Sequence, residues 1–211
     1  MTAFVRNQLT WDEIHTAKRW GTSSQPMMCR WANRNLKPSA SVLDLGCGIG
    51  PNSFWLASEG FEVSAIDISP RAIERMEARP RCHLPIPPGW KKAIQTSVGT
   101  AVNLVWPDSF FDAAVDVASL QHITKPDEVM DALREVHRVL KSQGLFFSMT
   151  ASDRHDPDCF SGMPARMQTR SQAVALYRSA GFEIVNIETA EHSDNGATIA
   201  HICLECRKIS I

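Results

Sequence analysis

Residues 42–53 read Val42-Leu43-Asp44-Leu45-Gly46-Cys47-Gly48-Ile49-Gly50-Pro51-Asn52-Ser53. Val42, Leu43 and Leu45 form a short apolar run of the kind that makes a buried strand. Gly46, Gly48 and Gly50 then let the chain turn sharply and leave room against the backbone for a ligand. Pro51 suits the first turn of a helix, and Phe54-Trp55-Leu56-Ala57 carries the apolar character onward. A strand, a glycine turn and a helix N-terminus together form a nucleotide-type cradle in an α/β sheet.

The glycine spacing narrows the ligand. A pyrophosphate calls for Gly-x-Gly-x-x-Gly, so that helix amides meet its oxygens. Here the spacing is Gly46-x-Gly48-x-Gly50, with Asp44 ahead of the first glycine. A carboxylate there is unhelpful beside a phosphate and attractive beside an ammonium or sulfonium. A second apolar run, Val63-Ser64-Ala65-Ile66, ends in Asp67. That places an acid about 20 residues past the cradle, at the tip of a second strand, where a ribose-binding carboxylate is expected.

Two later segments complete the pattern. Pro107-Asp108-Ser109-Phe110-Phe111-Asp112 leads into an apolar run from Phe111 to Val117. Arg134-Glu135-Val136-His137-Arg138-Val139-Leu140-Lys141-Ser142-Gln143-Gly144 reads as a helix and turn before the next strand. In order and spacing these four segments resemble the class I S-adenosylmethionine-dependent methyltransferases. The resemblance covers residues 40–206. It implies a doubly wound, Rossmann-like α/β fold: a mostly parallel seven-stranded sheet with an antiparallel last strand and a helical N-terminal extension. It also implies S-adenosylmethionine as cofactor, lying along Asp44, Gly46, Cys47, Gly48, Gly50 and Asn52. Asp67 would take both ribose hydroxyls, Ile68 would cover one adenine face, and Thr100 and Ala101 would stand at the adenine. Main-chain groups near Gly46 and Ala118 would hold the methionine end. Thr100 departs from the family, which often has an acid there; its hydroxyl or a nearby carbonyl is the replacement acceptor.

Residues 1–40 read as a helical preamble and 41–211 as the methyltransferase domain, a single domain overall. Thr10-Trp11-Asp12-Glu13 opens a helix, with Trp11, Ile14, His15 and Lys18 near helical spacing. Trp20-Gly21 breaks it, and Ser24-Gln25-Pro26 starts a second helix to Leu36. By resemblance the preamble is a lid and Trp20 a cofactor or substrate contact. The plainer reading packs Trp11, Trp20 and Trp31 onto the sheet. Further strands are expected at Ala93–Ser97, Gly144–Thr150, Phe182–Thr189 and Thr198–Cys206, and further helices at Arg71–Arg79, Lys125–Leu140 and Gln168–Ala180. The prolines between Pro80 and Lys92 mark an irregular surface excursion.

Methyl transfer is a displacement at an activated carbon whose carrier leaves as a neutral thioether. Rate then comes from alignment and exclusion of water. A base helps only where the acceptor must lose a proton. His122, just past the fourth strand, is the candidate base. Arg154 and His155, with Asp156 and Asp158, crowd the loop after the fifth strand and are candidate acceptor contacts; no metal site is expected. His15, His83, His137, His192 and His201 carry no partner pattern, and His137 reads as solvated. Cys203 and Cys206 spell Cys-x-x-Cys in an alternating stretch, where residues three apart face opposite ways and grip no common metal.

At 211 residues and net charge −1, the chain suits one sizeable core and lacks a general pull toward nucleic acid or an anionic membrane. No apolar run suits a secretory signal or a membrane span, which favours a cytoplasmic protein. Without a basic stripe or an RNA platform, a small-molecule O- or N-nucleophile is the expected acceptor, with no nucleic acid or membrane partner. A protein or tRNA acceptor is the alternative within the class. A nicotinamide-dependent oxidoreductase and a non-catalytic cofactor-binding partner subunit are the rivals outside it.

Overall fold

The run that opens the cradle is strand β1 (Ser41–Leu45), in which Val42, Leu43 and Leu45 are all buried. A strand apolar at successive rather than alternate positions is covered on both faces. The computed structural model describes residues 10–16, 23–78, 89–156, 163–194 and 197–209. The other strands are β2 (Glu62–Asp67), β3 (Ile94–Val98), β4 (Phe111–Val117), β5 (Leu140–Ala151), β6 (Phe182–Asp194) and β7 (Ala197–Lys208). They form one sheet in the order β3-β2-β1-β4-β5-β7-β6. β1 pairs in parallel with β2 and β4, β2 with β3, and β4 with β5, while β7 runs antiparallel to both β5 and β6. This is the doubly wound sheet with an antiparallel last strand expected from the sequence.

The helices are α1 (residues 10–16), α2 (Pro26–Asn35), α3 (Pro51–Ser58), α4 (Pro70–Ala78), α5 (Trp90–Ala93), α6 (Pro126–Val139) and α7 (Arg170–Ser179). On one face of the sheet Met28 and Trp31 of α2, Phe54 and Leu56 of α3, and Met76 of α4 pack over Val42, Val63 and Val115. On the other face Leu133, Val136 and Val139 of α6 and Tyr177 of α7 pack over Leu43, Leu45 and Phe146. The buried positions of α6, Val129, Ala132, Leu133 and Val136, follow the spacing of a single apolar stripe. Cys203 lies in the first core and Cys206 in the second, as strand alternation requires. Burial pushes both thiols up, that of Cys203 to about 12.

Several boundaries differ from expectation. β5 starts at Leu140 rather than Gly144, because Leu140 pairs with Phe111 before a register shift to Ala113 and Leu145. β6 and β7 run on to Asp194 and from Ala197, since hairpin pairing continues through residues whose polarity reads as turn. α5 is a turn of helix after Gly89 that the proline count concealed. Most of the preceding excursion, residues 79–88, lies outside the described residues, as does the turn at Asn195-Gly196. α7 begins at Arg170 rather than Gln168, where Thr169 and Gln172 form a capping box. His137 is packed rather than solvated: its ring lies 5.3 Å from that of Phe182, and its Nε2 is 3.2 Å from Ile209 O. Among the described residues no helix is long and apolar enough to cross a membrane.

Candidate active site

The carboxyl ends of β1, β2 and β4 open into one cavity of about 530 Å³, a size ordinary for a small-molecule site. Its floor is the glycine turn. Gly46 and Cys47 donate their N–H groups to Ile66 O, at 2.8 and 3.0 Å, which draws the turn against the end of β2. The three glycines are needed for different reasons. A Cβ on Gly46 would fall 1.9 Å from Ser119 Oγ, and one on Gly50 would fall 2.7 Å from the Met76 side chain. A Cβ on Gly48 would meet only His15 Cε1, at 3.6 Å. Gly46 and Gly50 therefore serve packing, and Gly48 keeps backbone open to the cavity.

Asp67 closes the turn from the side. Its Oδ2 accepts from Gly48 N at 2.8 Å and its Oδ1 from Ser69 N at 2.9 Å. Each carboxylate oxygen has a further lone pair for a ligand hydroxyl. Burial raises the Asp67 pKa, while these two N–H groups and nearby His15 work against the rise. Asp44 behaves differently. It is turned from the cavity, accepts from Ser53 Oγ at 2.5 Å, and is pushed up by burial to about 7. It fastens β1 to the first turn of α3.

On the far side, Asp116 at the end of β4 accepts from Ser119 N (2.9 Å) and Leu120 N (3.1 Å). This fixes the 3-10 turn Leu120–His122. His122 Nδ1 lies 2.9 Å from Pro164 O. A carbonyl only accepts, so Nδ1 carries the proton and Nε2 bears the lone pair. Burial lowers the His122 pKa, against the opposing hydrogen bond to Pro164, and so favours the neutral ring. α1 crosses the mouth. Its Trp11 ring packs edge-on to that of His122 at 4.9 Å, and both Trp11 and His15 line the cavity. Asp12 anchors it by accepting from Ser69 Oγ and from Arg71 N, and Arg75 reaches back to His15 O.

A family model described as a methyltransferase domain matches residues 43–148, half of the chain. The chain belongs to that methyltransferase family. It is 30% identical over 154 residues to a 2-methyl-6-phytyl-1,4-hydroquinone methyltransferase of Synechocystis, covering 72% of this chain and 41% of that protein. It is 34% identical over 126 residues to a squalene methyltransferase of Botryococcus braunii, covering 58% of this chain and 31% of that protein. The chain thus spans less than half the length of these curated relatives. Its fold matches a Burkholderia thailandensis 1,6-didemethyltoxoflavin-N1-methyltransferase holding S-adenosylhomocysteine, with a TM-score of 0.70 at 20% identity, over 98% of this chain and 86% of that one.

S-adenosylmethionine is the cofactor of this methyltransferase fold, and the residues present suit it. The open backbone at Gly48 stands beside the Asp67 carboxylate, and Ile68, Ala101 and Val102 add an apolar wall. Of the residues singled out from the sequence, Gly46, Cys47, Gly48, Asn52, Asp67, Ile68, Thr100, Ala101, Ala118, His122 and His155 line the cavity. Asp44 and Gly50 lie behind it, for the packing reasons above. Arg154 is exposed and pairs with Glu191 at 3.1 Å, pointing its charge away. Trp20 and Asp158 lie outside the described residues. The sequence reading passed over Trp11, His15, Gln121 and His201, which also line the cavity. The i, i+4 spacing of Trp11 and His15 was a legible sign of a shared helix face. His201 is brought in only by the register of β7, with its ring 4.9 Å from that of buried His155.

Proposed function

We propose that this methyltransferase moves a methyl group to the oxygen or nitrogen of a small molecule, with His122 as general base. When bound, S-adenosylmethionine supplies a methyl group on a positively charged sulfur. Asp67 binds and orients the ribose through its remaining lone pairs, and the bare backbone at Gly48 lets the nucleoside approach. The observation that carries the base assignment is the hydrogen bond from His122 Nδ1 to Pro164 O. It commits the proton to Nδ1, makes Nε2 the nitrogen that would take the acceptor's proton, and supports the imidazolium that results. His122 Nε2 therefore gains a proton as the acceptor's O–H or N–H loses it. Within residues 1–40 the lid is α1 alone, which brings Trp11 over the acceptor side and helps exclude water, whereas α2 is packed into the core. A small acceptor is supported by the size of the cavity and by relatives named for a hydroquinone and for squalene.

The test is transfer of labelled methyl from S-adenosylmethionine to a panel of phenols and amines, followed in the organic extract. Label should appear with a phenol or amine, and His122→Ala should reduce the rate by about 10²–10⁴-fold. The loss should shrink at high pH, where the acceptor ionises unaided. A folded His122→Ala protein with full turnover removes the base assignment, and an unlabelled panel with bound cofactor removes the acceptor class.

A further inference from the structure

His15 of α1 is largely buried, yet it lines the cavity. Its Cε1 is the atom that a side chain at Gly48 would meet, at 3.6 Å, so the imidazole stands over the open backbone of the glycine turn. The same ring faces the Asp67 carboxylate and opposes the rise that burial gives the Asp67 pKa. The two side chains form no hydrogen bond or ion pair with each other, and each Asp67 oxygen already accepts one N–H, from Gly48 or Ser69. Among the described residues the His15 ring has no hydrogen-bond partner, and neither ring nitrogen is sealed from the cavity. The position of the ring is set from the main chain. Arg75 reaches His15 O, and Asp12, three residues earlier, accepts from Ser69 Oγ and Arg71 N. Trp11, four residues earlier on the same face, stands against His122 instead. α1 therefore spans the mouth from the glycine turn to the acceptor side. A ligand laid against Gly48 and Asp67 strips water from the imidazole, and an N–H left without an acceptor there is unfavourable.

We propose that His15 is a cofactor-binding residue, whose ring N–H donates to the oxygen of a ribose hydroxyl that itself donates to Asp67. An imidazole carries at least one N–H in every tautomer, and a hydroxyl oxygen can accept one bond while its hydrogen is given to another. One hydroxyl then bridges the lid and the sheet, in the gap between two side chains that do not bond each other. The ligand selected is a nucleoside with that hydroxyl intact. Because His15 and Trp11 share one short helix, this bond to the donor also steadies the tryptophan over the acceptor side. The inference rests on the placement of the nucleoside against Gly48 and Asp67.

The experiment is calorimetric titration of the full chain with S-adenosylhomocysteine and with its 2′-deoxy and 3′-deoxy forms, in wild type, His15→Phe and Asp67→Ala. Phenylalanine keeps an aromatic ring over Gly48 and removes both nitrogens; His15→Leu serves where that variant fails to fold. His15→Phe should bind S-adenosylhomocysteine about 3- to 10-fold more weakly than wild type, and the difference should vanish for the deoxy form that lacks the bridging hydroxyl. Unchanged affinity in the folded variant, or a penalty equal for all three ligands, would overturn the proposal. Tighter binding by the variant would overturn it too, by showing that the ring competes for the site. If S-adenosylhomocysteine does not bind the wild type, or binds Asp67→Ala equally well, the parent placement falls and this inference falls with it. Weakened binding in Asp67→Ala with none in His15→Phe removes the role of His15 alone.

Discussion

α2 buries Met28, Trp31 and Ala32 against the sheet, and the Trp31 ring lies 5.5 Å from that of Phe147. α1 instead lies across the cavity and is fastened by polar contacts at its edge, from Asp12 to Ser69 and Arg71 and from Arg75 to His15 O. The same division separates two acids at the ends of neighbouring strands. Asp44 is sealed against Ser53, whereas Asp67 borders the cavity and bonds the glycine turn. α2 and Asp44 belong to the part of the molecule that holds the sheet together. α1 and Asp67 belong to the part that borders the cavity. Similar residue types therefore divide between core and cavity according to which side of the glycine turn they reach.

The largest effect should come from Trp31→Ala. Removing a fully packed aromatic side chain should destabilise the fold by about 3–5 kcal/mol, read from denaturant unfolding. Trp11→Ala, at a half-buried position over the cavity, should change stability by about 1 kcal/mol or less and mainly lower turnover. Comparable stability losses in the two variants would erase the distinction between the helices.

Asp44 offers a test by pH. Its folded pKa, about 7, lies above that of an unfolded aspartate, so the folded state holds a proton that the unfolded state has released. That contribution is present at low pH and is lost as pH rises through the folded value. Stability of the wild type should therefore fall relative to Asp44→Asn between pH 6 and pH 8, on the order of 1 kcal/mol or more. A constant difference across that range would mean that Asp44 is ionised throughout.

Much of this division was legible in the sequence, and the part that was not has a physical reason. The strand-turn-helix from Val42 to Ser53, the acid at Asp67 and the antiparallel last strand followed from local pattern. The order of the apolar runs then gave the sheet. The direction in which Asp44 and Arg154 point was not legible, because a side chain's facing depends on how separate elements pack, here against Ser53 of α3 and Glu191 of β6. Gln121 was missed for a similar reason. It reaches the cavity wall only because Asp116 holds the turn that follows β4. His201 reaches the cavity through the pairing of β5 with β7, which places it opposite Ala151.

A smaller effect is expected at the anchor of α1. Asp12→Ala removes the acceptor for Arg71 N, at the start of α4, and should weaken the local contact by about 0.5–2 kcal/mol. Hydrogen exchange should quicken in residues 10–16 and stay slow in residues 26–35. Unchanged exchange in residues 10–16 would show that the aromatic contact with His122, rather than Asp12, holds the helix.

The reading of the cavity as a nucleoside site is tested most directly at Asp67, by calorimetric titration of wild type, Asp67→Asn and Asp67→Ala with S-adenosylhomocysteine. A charge-assisted hydrogen bond contributes about 1.5–3 kcal/mol, so Asp67→Ala should bind at least about 10- to 100-fold more weakly, with Asp67→Asn between. Equal affinity in all three proteins, each shown to be folded, would contradict the placement of the cofactor against Gly48 and Asp67.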